Sequence, residues 1–410
     1  MEKLKQIIRE YEEIPFEGLK RGYDLELYHL NNALTIVGPR RAGKTTYLRE
    51  IIHTLKLDHF LFLNFEDERI LAIGELDPFI EAFYDLYRKK PHIFLDEIQN
   101  AKNWHLKVRR LIDQNYKVFI TGSNANLLSV EIATHLAGRT FTKKIMPFTF
   151  REFMQFKKLP ISRTSFYGKE RFAIKEAFRE FLIYGSFPEV VQTKLKRELL
   201  RQYFEFVFYR DIVARYKIRH EASIRLLIQK LTENLGKSYQ VNKLRNKISQ
   251  VVRVGKQSLF DYLKFLEESF FVVHIRNFQK SFLQRETERK TYFIDNGFIT
   301  ILSLDMESSK LLENLIFLEL FKRGKEIYYF RMKNECDFIV KKDEQISDVI
   351  QVCWELNETN RDREVNGLNE ALNFLHLKKG LIVTYEQEEN LKHDGKTIEV
   401  KPAWKWLLEI

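Results

Sequence analysis

The chain has 410 residues, 44% of them hydrophobic and 30% charged. That is more than one ordinary domain and too apolar for a disordered chain. Lys and Arg (68) exceed Asp and Glu (57) by a net +11, which permits an anionic partner without naming one. Two cysteines, Cys336 and Cys353, exclude a disulfide scaffold and a Cys-based zinc module. The charged start MEKLKQIIREYEEIPFEG has no secretory apolar core, and no run approaches the ~18 apolar residues of a spanning helix. The expectation is a soluble cytoplasmic protein with no membrane partner.

Charge is uneven along the chain. Residues 1–150 carry +2, 151–235 carry +8, 236–290 carry +7 and 291–410 carry −6. A basic middle and an acidic end suggest separate domains with separate tasks.

Ala33–Val37 is a short apolar run that reads as a buried strand. Gly38, Pro39, Arg40, Arg41, Ala42, Gly43, Lys44, Thr45 and Thr46 follow, and then apolar residues at helical spacing to Leu55. Strand, GxxxxGK[ST], helix is the phosphate-binding loop, or Walker A motif, in its required context. Its glycines let successive N–H groups face a phosphate, and the helix N-terminus adds positive potential. Lys44 is suited to the β- and γ-phosphates of ATP, and Thr45 to Mg²⁺. Arg40 and Arg41 read either as solvated loop residues or as nucleotide contacts.

Phe60–Glu66 supplies a further strand, whose Asn64 and Glu66 read as structural. His92–Glu97 is an apolar strand ending in two acids, a Walker B pattern. Asp96 is suited to organise Mg²⁺, and Glu97 to polarise the attacking water. Val118–Gly122 is another strand, followed by Ser123 and Asn124. A parallel sheet gathers such strand ends in one crevice, so Ser123 or Asn124 reads as a γ-phosphate sensor or equally as a helix cap. The alternation over 33–125 predicts a doubly wound α/β domain.

GPRRAGKTT, HIFLDEIQN, ITGSNANLL and LAGRTFTKKIMPFTFREFM together resemble the prokaryotic AAA+ superfamily ATPases of the archaeal type. These carry a degenerate nuclease-like C-terminal domain. The resemblance implies an ATP- and Mg²⁺-dependent hydrolase, and it marks Arg139 as an arginine finger or an interface residue. A finger acting between copies implies an ATP-dependent homo-oligomer.

Glu170–Ile183 and Lys196–Tyr216 read as lid helices. Between them, Tyr184–Pro188 is similar to the Gly-x-Pro turn of signal-transducing ATPases, whose proline packs on adenine. Pro188 stands one position late for that turn, and a plain helix-breaking turn is the alternative. Helices at Ala222–Leu235, Val241–Ile248 and Gln257–Glu268, then strands at Phe270–Ile275 and Thr291–Ile294, predict a winged helix-turn-helix. Lys256, Gln257 and Lys264 are placed on its exposed helix, and Arg285, Arg289 and Lys290 on its wing, as candidate DNA contacts. The alternative is a lid or a protein contact.

A helix at Leu311–Lys322 with Glu313, a strand with Asp337 and a strand with Gln351 resemble the PD-(D/E)XK nuclease order. In active members the acids hold Mg²⁺ and a lysine stabilises charge. Cys353 stands where that lysine belongs, and Lys341 or Lys342 is the only nearby substitute. Glu313, Asp337 and Gln351 therefore read as vestigial, in a segment kept for packing or for a protein partner.

The predicted architecture is α/β: a P-loop parallel-sheet core over 1–150, a helical lid over 151–235, a winged-helix domain over 236–298 and a nuclease-like α/β domain over 299–410. Three functions compete. They are an ATPase coupling nucleotide state to DNA or protein, a slow nucleotide switch, and, last, a metal-dependent nuclease.

Overall fold

The computed structural model describes all residues except 30–32, 124–135, 137, 163, 306 and 410. Asn124 lies outside the described residues. The chain divides into two compact units, 1–147 with 268–270, and 148–267 with 271–410. This division is coarser than the four segments read from sequence.

The first unit is built on five strands: β1 Ala33–Val37, β2 Leu61–Asn64, β3 Ile93–Asp96, β4 Val118–Gly122 and β5 Thr140–Lys144. Their order is β2-β3-β4-β1-β5, and every pair is parallel. β1, β3 and β4 are buried along their whole length, which is why they read as unbroken apolar runs. β5 is a mostly exposed edge. The helix Lys44–Thr54 packs on the sheet through Tyr47, Leu48, Ile51 and Ile52.

The N-terminal segment is fastened to that helix. Arg49 donates to the Tyr11 carbonyl at 2.6 Å and stacks over Phe62. The Arg21 and Gly22 amides each donate to the buried carboxylate of Glu50 at 2.8 Å. Arg21 also reaches the Met146 carbonyl at 2.8 Å.

The second unit begins with helices, among them Phe150–Phe156, Glu170–Tyr184 and Lys196–Phe206, the last continuing as a π-helix over Val207–Ala214. The Phe150–Phe156 helix has a capping box, Thr149 with Glu152. Gly185 is required where it stands: its φ is +72°, and a methyl group there would overlap the Asp295 carboxylate. That carboxylate accepts from the Ser186 and Gly297 amides, both at 2.8 Å.

Three helices, Glu221–Glu233, Val241–Ser249 and Lys256–Glu268, are interleaved with an antiparallel sheet. Its strands are β6 Tyr239–Gln240, β7 Val272–Ile275 and β8 Glu288–Phe293, in the order β6-β8-β7. A buried polar chain runs through it. His274 faces the Leu263 carbonyl with Nε2, which must therefore carry the proton, so Nδ1 accepts from Thr291 Oγ1 at 2.8 Å. Thr291 in turn accepts from the Tyr239 hydroxyl at 2.8 Å. The segment expected to be an open wing instead contains a short helix, Phe282–Thr287.

The C-terminal sheet has six strands: β9 Glu326–Arg331, β10 Glu335–Lys342, β11 Gln345–Val352, β12 Lys379–Thr384, β13 Glu389–His393 and β14 Lys396–Pro402. Their order is β13-β14-β12-β11-β10-β9. β11, β12 and β14 run parallel, and β9, β10 and β13 antiparallel to their neighbours. The helices Ser308–Lys322 and Arg361–Phe374 belong to the same unit. No described helix is long and apolar enough to cross a membrane.

Candidate active site

The loop after β1 has the geometry its sequence requires. Gly38 admits no side chain, because a methyl group would overlap the Ile145 carbonyl oxygen. Arg41 (φ 61°) and Gly43 (φ 94°) take left-handed conformations and turn the chain into the helix. Lys44, only 4% exposed, donates to the Pro39 carbonyl at 3.1 Å, across the loop. Gly38, Pro39 and Ala42 are buried, Gly43, Thr46 and Arg40 half-buried, and Arg41 and Thr45 exposed.

The parallel sheet brings the Walker B acids to this loop. Thr45 Oγ1 donates to Asp96 Oδ2 at 2.8 Å, and Thr121 Oγ1 donates to Asp96 Oδ1. Burial and the neighbouring Glu97 push the Asp96 carboxyl up to about 6, against the two threonines and Lys44. Glu97 sits just past β3 with φ 50°, its amide donating to Thr121 Oγ1 at 2.9 Å. Its carboxylate lies 3.3 Å from Lys44 Nζ and 4.0 Å from Arg40. Burial would raise Glu97, but Lys44 and then Arg40 outweigh it and bring it to about 2.

Three residues at this site were given no part in nucleotide chemistry from sequence, Glu66 having read as structural. Thr121 holds both Walker B acids. Gln99 donates through Nε2 to Glu97 Oε2 and, at 3.2 Å, to Ser123 Oγ, while its Oε1 is buried with no hydrogen-bond partner. Glu66 pairs with Arg40 at 2.7 Å. The sequence signal was position alone: all three stand at or just beyond the C-terminal ends of parallel strands. Arg139 lies at the foot of β5, where it pairs with Asp113.

In the second unit, Pro188 opens the short helix Pro188–Gln192 at its first position. There the missing N–H costs nothing. Lys256, Gln257 and Lys264 are exposed on one helix, as expected. Two of the expected wing residues are half-buried. Arg285 donates to the Phe278 carbonyl, and Arg289 lies 3.5 Å from Glu286.

Lys290 requires a correction. It is 0% exposed and cannot meet a phosphate from the surface. In β8 it points to the same side as Tyr292 and enters a carboxylate cluster formed by Glu313, Glu335 and Asp337. Glu313, Asp337, Gln351 and Cys353 do line one cavity, of about 1010 Å³. Lys341 is engaged with Glu326 instead. The ammonium near the acids therefore comes from β8 and from neither Lys341 nor Lys342.

Residues 30–154 match the family described as AAA domain. Residues 175–310 and 308–406 match two families described as domains of unknown function. Uncharacterized protein MJ1544 of Methanocaldococcus jannaschii is 34% identical over 403 residues, covering 94% of this chain and 90% of that protein. The chain belongs to the family of that archaeal protein. An uncharacterized Haemophilus influenzae protein is similar at 29% identity, over 91% of this chain and 94% of its own. Among solved structures, the Aeropyrum pernix Orc1 protein in complex with DNA is 14% identical, with a TM-score of 0.32, over 74% of this chain and 92% of that one. Cdc6p from Pyrobaculum aerophilum gives 16% and 0.26, over 70% and 88%. The P-loop α/β class of this family member rests on the AAA match and on the all-parallel sheet order.

Proposed function

We propose that the chain binds ATP with Mg²⁺ and hydrolyses it, and that the nucleotide state governs binding of DNA or a protein partner by the second unit. The supporting observation is the convergence of Lys44, Thr45, Asp96 and Glu97 within hydrogen-bonding reach at one end of the parallel sheet. Thr45 and Asp96 supply the oxygen ligands that Mg²⁺ prefers. When bound, the ion would neutralise charge on the phosphates.

Lys44 and the loop amides bind and orient the phosphates. Glu97 takes the proton of the attacking water, and Gln99, which also reaches Ser123, holds its carboxylate in place. A carboxylate brought to about 2 is a weak base. Phosphates that draw Lys44 away would raise its basicity.

The Lys44–Glu97 pair also favours the second reading, a slow nucleotide switch, because a phosphate and the Glu97 carboxylate would compete for one ammonium. On either reading the three helices and small sheet over 221–293 act as a winged helix, with Lys256, Gln257 and Lys264 toward the partner. The deciding experiment is ATP turnover of wild type and Glu97→Gln, with and without duplex DNA. Glu97→Gln is expected to bind ATP normally and to lose turnover by about 10²-fold or more. Unchanged turnover in that variant removes Glu97 as the base. Stimulation by DNA supports the coupled ATPase, and slow turnover indifferent to DNA supports the switch.

A further inference from the structure

The nuclease-like order Glu313, Asp337, Gln351 implies an active-site Mg²⁺ in the C-terminal cavity. The residues there do not fit one. Lys290 Nζ lies 2.7 Å from Glu335 Oε1, 3.3 Å from Asp337 Oδ1 and 3.4 Å from Glu313 Oε1. It stands among the three carboxylates, where a shared cation would stand, and it is wholly buried. Oxygen atoms around Mg²⁺ must close to about 2.0–2.1 Å. An ammonium in that space blocks the approach and repels the ion.

Other polar contacts tie the cluster further. Asp337 Oδ2 accepts from the Val352 amide at 2.9 Å, and Glu313 Oε1 accepts from the Tyr292 hydroxyl at 2.6 Å. Gln351 accepts from the Asp337 amide at 3.1 Å and donates to Glu364 at 2.6 Å. Among the described residues, no group of three or more His, Cys, Asp or Glu is disposed to hold a metal ion. Strand alternation explains how the lysine arrives. Lys290 and Tyr292 are two apart on β8, so both reach the helix that carries Glu313.

We propose that Lys290 is the built-in cation of this cluster: its ammonium replaces a divalent metal, and the carboxylates become a divalent-cation site only when that charge is removed. The inference concerns the C-terminal cavity alone and does not depend on ATP hydrolysis.

The test is Mn²⁺ binding to the full chain without nucleotide, followed by the loss of the free-ion signal in electron paramagnetic resonance. Wild type and Asp337→Asn are expected to give superimposable isotherms. Lys290→Met is expected to gain one Mn²⁺, bound at least tenfold more tightly than any at this site in wild type. Adding Asp337→Asn to Lys290→Met should abolish that gain. Any ion held at Thr45 and Asp96 is common to all four chains and cancels. A wild-type ion lost in Asp337→Asn overturns the proposal, as does a folded Lys290→Met that gains none. Should Lys290→Met fail to fold, Lys290→Gln takes its place, and the wild-type comparison still decides whether the cluster admits a metal.

Discussion

Lys44 Nζ lies 3.3 Å from Glu97 Oε1, so the cation suited to a phosphate and the carboxylate suited to a water hold each other. Lys44→Ala removes both relationships. Nucleotide affinity is expected to fall about tenfold to a hundredfold, the loss of one charge-assisted hydrogen bond of roughly 1.5–3 kcal/mol. Titration with a fluorescent ATP analogue measures it. Affinity within twofold of wild type would show that the lysine does not meet the phosphates.

Gln99 bridges Glu97 and Ser123. Gln99→Leu is expected to leave nucleotide affinity near wild type and to lower turnover by about tenfold, a part of the 10²–10⁴ that a positioned base contributes. A fall in affinity with unchanged turnover would mean that Gln99 serves the binding pocket and not the base.

His274 and Asp295 give the second unit opposing pH dependences. Burial, and then Arg289, hold His274 down at about 3, far below its ordinary 6.5. Its contribution is fully present above pH 6.5 and is lost as the pH falls, by about 1.4 kcal/mol per pH unit. Burial raises Asp295 from 3.8 to about 6, against Lys322 and the Ser186 and Gly297 amides. The folded chain then gains stability from that group as the pH falls from about 6 towards 4. Urea unfolding at pH 7 and pH 5 separates the two effects. Relative to wild type, His274→Gln should lose less stability on acidification and Asp295→Asn should lose more. The same acid sensitivity in all three chains would contradict both assignments.

Lys256 and Lys264 are exposed on one helix. If they meet phosphates, Lys256→Ala and Lys264→Ala should each reduce the slope of log affinity for duplex DNA against log salt by about 0.9. Fluorescence anisotropy across a salt series reads that slope. No binding to duplex at low salt would remove DNA as the partner.

The parts of the fold legible in the sequence were those whose pattern is local. β1, β3 and β4 are buried on both faces and read as apolar runs, and the loop at Gly38–Thr45 carries its own spacing. β5 escaped notice because Thr140–Lys144 is a polar edge whose place is set by pairing with β1, which no periodicity records. Gln99 and Thr121 escaped for the same reason, since their roles exist only once β3 and β4 lie side by side. Lys290 was misplaced because a run of basic residues reads as solvated. Only the fold brings Glu313, Glu335 and Asp337 around it, from 23 to 47 positions away.

The family match begins at residue 30, yet the Arg21 and Gly22 amides hold the buried Glu50 carboxylate from outside that boundary. A chain trimmed to the matched limits would take both donors from a carboxylate carried by the phosphate-binding helix, at a cost of about 1–3 kcal/mol for each missing hydrogen bond. The smallest self-sufficient nucleotide unit therefore starts well upstream of the first strand and includes the N-terminal helix, because Arg49 also donates to the Tyr11 carbonyl and Ile7 and Ile8 are buried in the same core. Shorter fragments would be expected to report on a damaged helix and not on the chemistry at its tip.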